Sequence, residues 1–128
     1  MAGGLTISTL NDSSGVLATQ NGMRGVAKAW VTFAGSTGVI YGTSFNVSSV
    51  TRNGTGDYTL NFTTAMPNTN YCWTFGNYPA DNGTTFSIPF LKSATTPSTT
   101  SIRISWHGVG STTQVSDPLY APVAIFSS

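Results

Sequence analysis

The chain of 128 residues contains no glutamate: its four acids are Asp12, Asp57, Asp81 and Asp117, beside five Lys or Arg, one His and one Cys. Charged residues make up 7% of it, against roughly 25% in an average soluble domain. Each scarcity excludes something. One His and one Cys cannot supply the tetrahedral His/Cys set of a zinc site within a single chain, and no metal or cofactor is expected. A formal charge of +1 leaves no basic stripe. The ~6–10 phosphate contacts of a strong DNA binder are then out of reach, and no nucleic-acid partner is expected. The lone Cys72 rules out an internal disulfide framework. No apolar run approaches the ~20 residues of a spanning helix, so no membrane insertion is expected. Met1-Ala2-Gly3-Gly4 lacks the basic start and apolar stretch of an export signal.

Hydroxyls and amides stand where the charges are missing: 16 Ser, 21 Thr and 9 Asn, with 14 Gly. Thr, Val, Ile and the aromatics favour strands, while Glu, Lys, Gln and Arg, the best helix formers after Ala and Leu, are nearly absent. The class expected is all-β and soluble, in one domain.

Along the chain, Leu5–Ser8 and Gly15–Gln20 read as short β pieces around an Asn11-Asp12-Ser13-Ser14-Gly15 turn. They hold few large apolar residues, so residues 1–24 read as a connector and 25–128 as the domain proper. Strands are expected over Val26–Phe33, Val39–Tyr41, Ser44–Thr51, Tyr58–Thr63, Asn70–Gly76, Thr85–Leu91 and Ser101–Trp106, with closing strands at Val115 and Val123–Phe126. Gly42 marks a bend. Asn53-Gly54 is the clearest turn signal, supplying positive φ at little cost. Tyr58, Leu60 and Phe62 alternate with Thr59, Asn61 and Thr63, and Ile102, Ile104 and Trp106 with Ser101, Arg103 and Ser105. Pro89 confines its strand to an edge or a bulge. Short strands with turn signals about every 8–12 residues indicate an antiparallel β-sandwich or barrel.

Three runs are distinctive: Ala27–Phe33 (AKAWVTF), Ser44–Val50 (SFNVSSV) and Asn53–Phe62 (NGTGDYTLNF). They resemble the C-terminal receptor-binding tip of tail fibres from tailed bacteriophages, which reads AKAWVNF…SFNVSSITDNGTGDYTVNFTT. The resemblance spans about Gly25 to Tyr71 and fades beyond Trp73; Thr32 replaces the family's usual Asn. It implies a β-rich homotrimeric fibre tip on a virion, or on a bacterial adhesive fibre derived from a phage, that recognises a surface polysaccharide, lipopolysaccharide or outer-membrane protein. A cyclic trimer would also hide strand edges and apolar faces that a lone chain is expected to expose.

Candidate receptor contacts follow from residue type and place. Tyr78, between Asn77 and Pro79 and close to Asp81 and Asn82, lies in a polar loop outside any alternation. Loops on a rigid β scaffold concentrate binding groups, and Tyr with Asn is a paratope-like mixture. Arg103 is placed to grip a phosphate or an acidic sugar, with His107 on the same face; only three copies of His107 about a threefold axis would make a metal set. Tyr71, Trp73 and Phe75 form either a sugar-stacking platform or core, and burial favours core. Trp30 and Trp106 are expected in the core or at a subunit interface. Asp57 is expected in turn chemistry rather than a calcium site, and Cys72 as a small buried hydrophobe. A glycosidase needs two carboxylates flanking one bond, and no nucleophile elbow accompanies His107, so catalysis is not expected. The alternatives are a monomeric carbohydrate-binding β-sandwich from a secreted enzyme and a purely structural trimerisation tip.

Overall fold

The computed structural model describes residues 3–4, 6, 9–12, 15–18, 25–76, 87–108 and 115–127. Nine strands are present among them: β1 (Thr9–Asp12), β2 (Gly15–Ala18), β3 (Ala29–Phe33), β4 (Val47–Gly54), β5 (Asp57–Phe62), β6 (Cys72–Phe75), β7 (Ser87–Leu91), β8 (Ser101–Gly108) and β9 (Ala121–Phe126). All pairings are antiparallel. β1 and β2 form a hairpin, β3-β9-β6 a three-stranded sheet, and β4-β5-β8-β7 a four-stranded sheet.

The two larger sheets share one core. Ala29, Val31, Phe33, Ala121, Val123 and Ile125 from the first meet Val47, Tyr58, Leu60, Phe62, Ile102, Ile104 and Trp106 from the second. The Phe33 ring lies 5.0 Å from that of Tyr58 and 5.9 Å from Trp106, the latter edge-on. The alternation read from β5 and β8 is the alternation observed. Such a two-layer arrangement is what a sheet with one apolar face requires. Five aromatics, Phe33, Tyr58, Phe62, Tyr71 and Trp106, are buried within one copy, each sheet covering the other, while Trp30, Phe45 and Phe90 stay exposed.

Four local readings change as well. Asn11 and Asp12 belong to strand β1, not to a turn, because Asp12 is the register partner of Gly15. Asn53 and Gly54 continue β4; the positive φ that turns the chain falls on Gly56, at 62°. Asn53 instead donates to Asp57 Oδ1 at 3.3 Å and to Thr59 Oγ1 at 2.9 Å. Trp30 leaves the core, since the inward phase of β3 is Ala29, Val31 and Phe33. Cys72 is exposed, lying on the uncovered face of edge strand β6. Pro89 does sit in an edge strand, β7. No helix among the described residues is long and apolar enough to cross a membrane.

Candidate functional site

Strand register gives the sandwich two unlike ends. The chain enters at Lys28, whose N–H donates to Ile125 O at 2.7 Å, and the last strand finishes beside it. At the opposite end lie Phe33 with Ala121, Gly76 with Pro122, and Ser87 with Gly108. Residues 77–86 follow Gly76 and precede Ser87, and residues 109–114 follow Gly108. Both segments therefore attach at the end remote from chain entry. The β4–β5 hairpin tip stands there too, with Trp106 N–H donating to Gly56 O at 2.8 Å.

Two ionic clusters hold this scaffold, and they use most of its charge. On the outer face of the four-stranded sheet, Asp57 receives Arg103 Nε at 2.8 Å and Nη2 at 2.9 Å, with Lys92 Nζ at 3.0 Å. The Arg103 hydrogen bonds hold the Asp57 carboxyl well below the ordinary 3.8, at about 2, against a smaller opposing effect of burial. Near the hairpin tip, Asp117 accepts from Arg52 Nη2 at 2.6 Å, from the Gly56 N–H at 2.8 Å, and from the hydroxyl of the fully buried Tyr58. Burial alone would raise the Asp117 carboxyl; Arg52, the Gly56 amide and Tyr58 together overcome it and lower it. Burial, then the Asp117 hydrogen bond, pushes the Tyr58 hydroxyl far up.

These depressed carboxyls make an acid-sensitivity prediction. A carboxylate whose folded value is lowered stabilises the fold above its unfolded value and loses that contribution as pH falls through the folded one. Melting temperature is therefore expected to hold down to about pH 4 and to fall between there and about pH 2. Asp57→Asn should lower the plateau and flatten the slope. Thermal melts across that range are the measurement, and a pH-independent midpoint would refute the assignment.

The expected receptor contacts separate. Asn77, Tyr78, Asp81 and Asn82 lie outside the described residues. Arg103 is on an exposed face, but the fork of its guanidinium that would grip a phosphate is occupied by Asp57. His107 lies four residues along β8, roughly 13 Å away at strand rise, with its ring edge-on to Phe90 at 5.5 Å. It is one residue from Gly108 and so stands at the base of 77–86 and 109–114; Arg103 does not. Tyr71 is buried, donating its hydroxyl to Ser98 O at 2.9 Å, while Trp73 and Phe75 pack partly buried against the core. No cluster of metal-ligating side chains exists among the described residues.

Sequence reasoning missed the outer face of the three-stranded sheet. Trp30, Ala124 and Thr74 are cross-strand partners in one row, and Thr32 and Pro122 in the next. A cleft of about 340 Å³ runs over them. The signal available was the phase of β3: with Val31 and Phe33 inward, Trp30 must point out.

No protein-family model, curated protein or solved structure matches the chain.

Proposed function

We propose that the chain is the receptor-binding tip of a bacteriophage tail fibre, a binder rather than a catalyst, which attaches to a glycan or outer-membrane protein on a bacterial surface. Beyond the residue pattern of 25–71, the observation that carries this reading is the polarity of the sandwich. Chain entry is at one end, and the segments 77–86 and 109–114 spring from the other. A shaft on the entry side would present them outward, where Asn77, Tyr78, Asp81 and Asn82 meet the receptor and His107 stands at their base. Two separate exposed apolar pairs, Ile88 with Phe90 and Tyr41 with Tyr120, support a homotrimer. Closed rings form from unlike patches that meet around an axis. Three weak sites then act with avidity.

Replacing residues 77–82 by a Gly/Ser segment of equal length is expected to lower binding of the labelled protein to host bacteria at least tenfold, read by flow cytometry. Unchanged binding would leave only a structural tip. A second reading, a monomeric carbohydrate-binding module, is favoured by the self-sufficient core of a single copy. Mass in solution separates the two: about 40 kDa for a ring of three, 13.4 kDa for the module.

A further inference from the structure

We infer that the outer face of the three-stranded sheet is a binding site for an uncharged sugar, with Trp30 as its stacking surface. The inference deepens the receptor-binding reading and rests on it for its biological meaning. Indole is among the costliest groups to leave in water, yet Trp30 is 40% exposed while Trp106 is 0% exposed. The Trp30 ring takes no part in the ring pairs of the described residues, most of which gather around Trp106 and Tyr71 instead. Thr74 is exposed and Thr32 half-buried, and both line the same cleft as Trp30. One exposed indole and two threonines thus share one cleft.

Register gives the cleft its shape. Trp30 and Thr74 sit on the outer strands, separated by β9, hence roughly 9–10 Å apart across the sheet. Between them β9 contributes only Ala124 and Pro122, a low floor. Gly76 leaves room for the Pro122 ring, because a Cβ there would collide with Pro122 Cγ. The result is a shallow trough about one pyranose ring wide, with Trp30 and Thr32 along its β3 side and Thr74 on its β6 side. No ionisable group lines it. An anionic sugar would lose hydration with nothing to replace it, so charge matching selects a neutral ligand. Apolar C–H faces of a hexose pack on the indole, and its hydroxyls exchange hydrogen bonds with Thr32, Thr74 and the indole N–H, the mixture of apolar wall and few polar groups that small-ligand sites use.

The probes are maltose, cellobiose and lactose, with galacturonate oligomers as the anionic counterpart, titrated into the full chain while indole N–H resonances are followed by NMR. At least one neutral disaccharide is expected to shift the Trp30 indole resonance saturably, with those of Trp106 and Trp73 moving little and the galacturonates without effect. Trp30→Ala should weaken binding at least tenfold and Thr74→Val several-fold. Both side chains lie outside the core, so unchanged melting temperatures certify the fold, and Trp30→Phe should recover part of the affinity. Absence of any saturable shift, or sugar binding unaltered in Trp30→Ala, would overturn the site. Loss of self-association in Trp30→Ala without any sugar effect would also overturn it, assigning the face to a second copy. The two proposals fail separately: attachment to bacteria without sugar binding at Trp30 removes this site alone, and sugar binding without attachment to any bacterium removes the receptor reading alone.

Discussion

Gly56→Ala is expected to destabilise the fold by about 4 kcal/mol, with a fall in melting temperature of roughly 10–20 °C. Two effects combine. Gly56 has φ of 62°, a conformation in which an L side chain crowds its own backbone. A Cβ there would also stand 2.5 Å from Trp106 O and 3.0 Å from Ser116 O. Both are main-chain atoms of packed segments, so neither can swing aside as a side-chain tip would. Gly54, two residues earlier, is the control: nothing lies within 4 Å of its Cβ position and its φ is not positive. Gly54→Ala should therefore change stability by less than about 1 kcal/mol. Equal effects at the two positions, measured by denaturant unfolding, would show that the hairpin tip is not locked against β8.

Asp117→Ala is expected to cost about 3 kcal/mol. The carboxylate serves three donors at once, Arg52, the Gly56 amide and the Tyr58 hydroxyl, and its removal leaves all three without it. Tyr58 is fully buried, so its hydroxyl cannot turn to water. Arg52 keeps 30% of its side chain exposed and recovers part of its hydration, which holds the figure below that of a fully buried pair. Asp117→Asn retains an acceptor for the amide and the hydroxyl and should cost about half as much. Chemical denaturation of the two variants tests this; a change under about 0.5 kcal/mol for Asp117→Ala would mean the donors have other partners. The consequence for binding is indirect. Asp117 ties the segment before β9 to the hairpin tip at the end where 77–86 and 109–114 attach, so its loss should loosen that end before the opposite one.

Much of the candidate site escaped sequence reasoning for physical reasons. Arg103 alternates with Ile102 and Ile104 and was correctly expected on an outward face. Nothing in a linear chain says that Asp57, 46 positions earlier, would occupy its guanidinium. Register between β5 and β8 decides that, by making Asp57 the partner of Ser105 and Thr59 that of Arg103. For Trp30, residue type leaves core and subunit interface both open, with Ala29 and Val31 on either side, and only the phase of β3 against β9 takes it out of the core.

Composition and alternation by themselves determined the β class, the inward rows of β5 and β8, and the edge position of Pro89, because a period of two with one covered face leaves a strand little choice. The tertiary structure decided which sheet covers which, which of its aromatics a single copy buries, and where charge is spent. Those outcomes depend on contacts between residues dozens of positions apart, and pairing at such range follows from how two twisted sheets close on each other, which no local pattern encodes.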